Sequence, residues 1–144
     1  MCLAWVASLR SEDPFHKVGC AALNSSNRVI ATGYNGLKPG QKLSDAEWMD
    51  REGRLKHVIH AERNALSLCQ PGEIKTLAVT TLPCSQCAQA IIAAGVKIIL
   101  YGKPYHRDSS SIEIFAQHGI ETKLIALDDA KRTVLDTVNR ELGN

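Results

Sequence analysis

Two short stretches constrain this chain more than anything else in it: His60-Ala61-Glu62 and Pro83-Cys84-Ser85-Gln86-Cys87. Together they offer one imidazole, two thiols and one carboxylate. Imidazole and thiolate are zinc ligands, and three protein ligands leave a fourth tetrahedral position open for water, which separates a catalytic zinc from a closed structural one. The carboxylate is then free to lie beside the metal as a proton shuttle. The spacing makes demands on the fold. Cys84 and Cys87 are three apart, so at the start of a helix they share one face. Pro83 suits the entry to such a helix, and the positive end of its dipole stabilises thiolates. His60 and Glu62 are two apart and cannot lie on one line down a helix. At the first turn of a second helix, one ligates while the other points into the neighbouring space. The chain must therefore bring two helix N-termini to one metal.

A lone Cys-x-x-Cys leaves other readings open: a redox pair, or half of a structural zinc site. A structural site needs a fourth ligand, for which Cys69 and His57 are the nearest candidates. Cys69 falls late in the helix expected from His60, more than about 10 Å away at 1.5 Å per residue. The remaining cysteines, Cys2, Cys20 and Cys69, read as small buried hydrophobes.

The rest of the chain supplies the frame. Cys2 to Leu9 reads as a short helix that stops before Pro14. Val18–Asn24 and Arg28–Tyr34, joined by Asn24-Ser25-Ser26-Asn27, read as a β-hairpin that leaves through a strained turn at Gly33-Tyr34-Asn35-Gly36. Leu37–Lys56 is charged on most sides, with a capping box at Ser44-Asp45-Ala46-Glu47, and reads as a surface helix or a lid. Helices are expected over His60–Cys69, Cys84–Ala94, Ser110–His118 and Asp128–Leu142. Strands are expected at Thr76–Thr81, Val96–Tyr101 and Thr122–Ala126. Ile112, Phe115 and Ala116 form the expected apolar face of the third helix. Val134, Leu135 and Val138 form that of the last, with Asp128 as its N-cap. Strands alternating with helices after a hairpin imply a sheet covered on both faces.

With 144 residues the chain is expected to be one domain, residues 1–144. A net charge of +2 without a basic run argues against nucleic acid as partner. No apolar stretch is long enough to span a bilayer, no secretory leader is visible, and the odd number of cysteines does not read as paired disulfides. The expected compartment is the cytoplasm.

The H-x-E and P-C-x-x-C stretches match the signature of zinc-dependent base deaminases. The chain resembles the cytidine deaminase superfamily, and within it the deoxycytidylate (dCMP) deaminases. Ser11-Glu12-Asp13-Pro14 with Lys17-Val18-Gly19-Cys20, the Gly33–Gly36 stretch, His60–Ala65, Thr81–Ala88, Ala93–Lys97 and Tyr105-His106 all fit that family. The resemblance implies a three-layer α/β/α sandwich around a mixed five-stranded sheet. It implies hydrolysis of dCMP to dUMP and ammonia, supplying dUMP for thymidylate synthesis. His60, Cys84 and Cys87 would hold one zinc ion, and Glu62 would move the proton. Substrate contacts are expected from Asn35, the Ala61 amide, the Leu82 carbonyl and Tyr105. Lys17, Arg63, His106 and Arg107 are the candidates for the phosphate. Asn35 also reads as a plain turn former, Tyr105 as a packed ring, and the cations as solvated surface charges. The resemblance further implies a homo-oligomer (dimer, trimer or hexamer), with dCTP and dTTP as effectors and Mg2+ accompanying an effector nucleotide.

The chain departs from that pattern in places. Arg63 stands where relatives carry an apolar residue, the first helix is abbreviated, and no second set of zinc ligands is evident. Two other functions fit the same motifs. One is deamination of a different substrate, such as dCTP, cytidine, guanine or tRNA adenosine. The other is a non-catalytic, zinc-stabilised binding module.

Overall fold

The centre of the molecule is the strand Thr76–Val79, a β-branched and apolar run buried at all four positions. The computed structural model describes residues 1–143. This strand is β3, and the full chain order is α1 (Cys2–Ser8), β1 (Gly19–Leu23), β2 (Val29–Tyr34), α2 (Asp45–Met49), α3 (Arg51–Leu55), α4 (Ala61–Leu66), β3, α5 (Ser85–Ala93), β4 (Ile98–Tyr101), α6 (Ser111–Gln117), β5 (Glu121–Leu124) and α7 (Leu127–Glu141). The strands form one five-stranded sheet in the order β2-β1-β3-β4-β5. The β1 strand runs antiparallel to both β2 and β3, while β3, β4 and β5 are parallel. The sheet is therefore mixed and five-stranded, as the resemblance implies.

Helices cover both faces. α4, α5 and α6 close one side over the main core, which includes Leu77, Val79, Ile91, Ile99 and Phe115. α1 and α7 lie together on the other, over a smaller cluster of Ala4, Ala21 and Ala78. Alanines sit in both interfaces, Ala61 and Ala65 on α4 and Ala4 on α1, and these two helices approach the hairpin closely. The register explains two glycines. Gly33 faces Cys20 across the hairpin and Gly19 faces Tyr34, so the two glycines point to opposite faces. A Cβ at Gly33 would lie 2.2 Å from the Ala61 carbonyl oxygen of α4, and one at Gly19 would lie 2.1 Å from the Ala4 carbonyl oxygen of α1. Among the described residues no helix is long and apolar enough to cross a membrane.

The hairpin forms as expected. Its turn is held by the Asn24 carboxamide oxygen, which accepts from the Ser26 and Arg28 amides, with Asn27 at φ 57°. The Ser44–Glu47 capping box is also present. Four expectations need correction. Gly33-Tyr34-Asn35-Gly36 is not a strained turn: Gly33 and Tyr34 complete β2, and none of the four has a positive φ. α6 turns Ser111 and Phe115 inward and leaves Ile112 and Ala116 exposed. On α7, Ala126 and not Asp128 is the N-cap; the buried position is Ala130, while Leu135 and Val138 are 53% and 46% exposed. Cys20 is buried, but Cys2 and Cys69 are only partly so.

Candidate metal centre and active-site cleft

His60 and Cys84 are each the N-cap residue of a helix, α4 and α5 respectively. An N-cap side chain ordinarily accepts from the first turn of its own helix. Neither does so here, which leaves the imidazole and the thiol to point away from their helices. Cys87 follows in the first turn of α5. The His60 Nδ1 atom lies 3.3 Å from Cys87 Sγ and 3.7 Å from Cys84 Sγ. Ligands on a tetrahedral zinc at ordinary bond lengths stand about 3.6 Å apart. The three ligand atoms, all within 4.8 Å of one another, thus fit a zinc ion by both chemistry and spacing. The structure refines the expectation for His60, which precedes the first turn instead of lying in it.

Electrostatics support a metal here. Cys84 is pulled down to about 4, chiefly by the Cys87 thiol and then by His60, against the cost of burial. Cys87 moves in the opposite direction, because its proton bridges to Cys84 and because it is buried. Without metal, one proton is therefore shared between two sulfurs. His60 is raised, first by its contact with Cys84, with burial opposing. Glu62 is 4% exposed. Burial pushes its carboxyl above the usual carboxylate range, while its own backbone amide and His60 pull the other way. A carboxyl that is easily protonated and sits beside a metal site is suited to carrying a proton.

The two halves of the site are held by separate contacts. α4 is fixed to the hairpin: the Cys20 thiol donates to the Ala61 carbonyl over 3.1 Å, and Asn64 Nδ2 donates to the Tyr34 carbonyl over 2.7 Å. α5 is fixed to the loop after β4. The Asp108 carboxylate accepts from the Ser85 amide over 2.7 Å and from the Ser110 hydroxyl over 2.6 Å. The Leu82 amide donates to the Lys103 carbonyl over 2.9 Å.

A cleft of about 450 Å³ opens above the centre. Of the residues expected at the site, it brings together His60, Glu62, Cys84, Asn35, Ala61, Leu82, Tyr105 and Lys17. Cys87 is buried behind them. His106 and Arg107 also line it. Asn35 does more than form a turn: its Oδ1 accepts from the Val18 amide and its Nδ2 donates to the His16 carbonyl, each over 2.7 Å. Arg63 is not brought to the cleft. It is exposed, outside the lining, and on the side of Cys87. Asp13, from the Ser11–Pro14 stretch, also lines the cleft, and the lining residues that the motifs did not single out include Arg51, Arg54, Val58 and Lys103.

Residues 1–103 match the zinc-binding region of cytidine and deoxycytidylate deaminases, and the chain belongs to that family. It is 33% identical to ComE operon protein 2 of Bacillus subtilis over 146 residues, covering 98% of this chain and 75% of that protein. It is also 33% identical to human deoxycytidylate deaminase over 116 residues, covering 76% of this chain and 65% of the human protein. The chain thus spans just under two thirds of the human protein's length. Among solved structures, the dCMP deaminase of cyanophage S-TIM5 in complex with dCMP and dUMP superposes with a TM-score of 0.71 at 29% identity, covering 85% of this chain and 91% of that one.

Proposed function

We propose that the protein is a zinc-dependent hydrolase that converts dCMP to dUMP and releases ammonia. The observation that carries this reading is the convergence of His60 Nδ1, Cys84 Sγ and Cys87 Sγ beside a buried Glu62 at the base of an open cleft. The names and bound nucleotides of the relatives above support dCMP as the substrate.

His60, Cys84 and Cys87 hold the ion. Zinc, once held, supplies a Lewis acid that makes water nucleophilic near neutral pH. Glu62 takes a proton from the attacking water and gives it to the pyrimidine ring nitrogen. Oxygen adds at the carbon that bears the amino group. Glu62 then carries a second proton to that amino group, which leaves as ammonia. A raised pKa suits this work, since the group must both gain and lose a proton near neutrality. The Ala61 amide, in the first turn of α4 with no intrahelical acceptor, donates to the pyrimidine carbonyl. The Leu82 carbonyl accepts from the substrate amino group. After its two bonds to the 16–18 segment, Asn35 keeps one amide N–H for base or sugar. Tyr105 forms the wall, and Lys17 adds positive charge while its ammonium donates to the Ser11 carbonyl. The same reading takes residues 1–144 as one domain, acting in the cytoplasm as a homo-oligomer with dCTP and dTTP as effectors.

Ammonia release from dCMP, dCTP, deoxycytidine, cytosine and guanine tests the reaction, and dCMP is expected to be the preferred substrate. Glu62→Ala should keep zinc and lose turnover by several orders of magnitude. Retained turnover with zinc bound refutes the role of Glu62, and no ammonia from any substrate refutes the reaction.

A further inference from the structure

Outside the metal centre, Cys20 is the cysteine with no exposed surface at all. Burial pushes its thiol well above the ordinary range, and the nearby Glu62 carboxyl adds to the shift, so near neutrality the thiol keeps its proton and can donate. That donor is used. Cys20 Sγ lies 3.1 Å from the Ala61 carbonyl oxygen, 41 positions further along the chain. A residue that only filled space on β1 would need no such contact.

The carbonyl reaches Cys20 through a gap in the hairpin. Cys20 and Gly33 are cross-strand partners on β1 and β2. The Ala61 carbonyl sits over Gly33, where a Cβ would lie 2.2 Å from that oxygen and 3.1 Å from Cys20 Sγ. Gly33 makes the room and Cys20 makes the bond. The peptide so held is the one that joins Ala61 to Glu62. Its oxygen faces the thiol, and its N–H, which belongs to Glu62, favours the ionised form of the Glu62 carboxyl. A peptide is planar, so fixing one edge fixes the other. Asn64 also ties α4 to the hairpin, through the Tyr34 carbonyl, but it acts further along the helix. The Cys20 bond acts on the peptide from which Glu62 springs.

We propose that Cys20 is a positioning residue: its thiol fixes the Ala61–Glu62 peptide and so sets the place from which the Glu62 carboxyl reaches into the cleft. A group that must pass a proton to and from a bound substrate works only within a narrow range of positions, and those positions are held by neighbours that do not touch the substrate. The assignment rests on the reading of Glu62 as the proton carrier above, but the contact that holds the peptide stands on its own geometry.

The test compares zinc-loaded wild type, Cys20→Ala and Cys20→Ser on dCMP, with rates taken per bound zinc and thermal unfolding as a check. Both variants leave a small gap, but only serine keeps a donor. For Cys20→Ala, kcat should fall about 10-fold with KM within about twofold, whereas Cys20→Ser should keep kcat within about threefold of wild type. Equal falls in the two variants overturn the proposal, since Cys20 then only fills space. An unchanged kcat in Cys20→Ala, or a loss confined to KM, overturns it as well. Should Cys20→Ala not fold, Cys20→Thr and Cys20→Val repeat the comparison at equal shape; threonine should turn over faster, and equal rates overturn the proposal. If wild type releases no ammonia from dCMP, the deamination reading has failed on its own account. Amide hydrogen exchange at Glu62, read by NMR on the zinc-loaded protein, then decides whether the thiol holds the peptide. Exchange about 10-fold faster in Cys20→Ala and restored in Cys20→Ser supports it, and the same rate in both variants overturns it.

Discussion

Replacing Gly33 by alanine should disable the metal centre through one misplaced methyl group. Its Cβ would lie 2.2 Å from the Ala61 carbonyl oxygen and 2.8 Å from the Ala65 nitrogen. Carbon and oxygen settle no closer than about 3.3 Å, so α4 must retreat from β2 by roughly 1 Å. His60 and Glu62 begin α4 and move with it, whereas Cys84 and Cys87 belong to α5 and do not. Metal–ligand distances tolerate about 0.2 Å, and a 1 Å misplacement of a reacting group costs on the order of 100-fold in rate. The overpacking itself costs about 1–3 kcal/mol of stability.

Gly19→Ala is the matched control. Its Cβ would lie 2.1 Å from the Ala4 carbonyl oxygen and 2.4 Å from the Ser8 nitrogen, an equal clash on the face away from the site. Both variants should unfold at a lower temperature. Only Gly33→Ala should also lose zinc to a chelator at lower chelator concentration and turn over about 100-fold more slowly per bound zinc. If the two variants match in zinc affinity and turnover, the close approach of β2 to α4 does not position the site and the reasoning fails.

Two further outcomes follow from the site's hydrogen bonds. Asp108 is held down to about 2, chiefly by Ser110 and then by the Ser85 amide, in the folded protein. A depressed carboxylate stabilises the fold above its unfolded value of about 3.9, and the effect is lost as pH falls through the folded value. Asp108→Ala should therefore flatten the loss of stability between about pH 4 and pH 2. It should also raise KM for dCMP while zinc stays bound, because the loop carrying Tyr105 is released; a KM equal to wild type would count against this. The lowered Cys84 and raised Cys87 predict that zinc uptake at about pH 9.5 still releases about one proton, where two ordinary thiols would have almost none left to release. The dependence of the calorimetric heat on buffer ionisation measures it, and a release near zero at that pH would refute the sharing.

The metal centre was legible in the sequence because its chemistry depends on residue type and short spacing. His60, Glu62, Cys84 and Cys87 allow few other uses together, and two helix starts are the simplest way to join them. Some turn and cap chemistry was also readable, since Asn24 and the Ser44–Glu47 box act within a few residues of themselves, but the cap expected at Asp128 and the turn expected at Gly33–Gly36 were not found. What escaped lies between elements. Gly33 reads as a turn residue by composition, but its use is a close approach to Ala61, which is 28 positions away. On α7, Leu135 and Val138 repeat at helical spacing yet stay exposed, because the helix is buried only at Ala130, near its start.

Arg54 is the clearest case of this limit. Its neighbours Arg51, Glu52 and Lys56 mark a solvated surface, and no periodicity sets it apart. Its burial is made by Phe15, 39 positions earlier, and by a backbone carbonyl at Trp48. A hydrophobic pattern predicts burial from the gain of hiding apolar surface. Arg54 is buried against that gain. Its place in the lining of the cleft was therefore hidden from the sequence for a physical reason: it depends on a buried charge held by residues far apart in the chain, and only the tertiary structure brings them together.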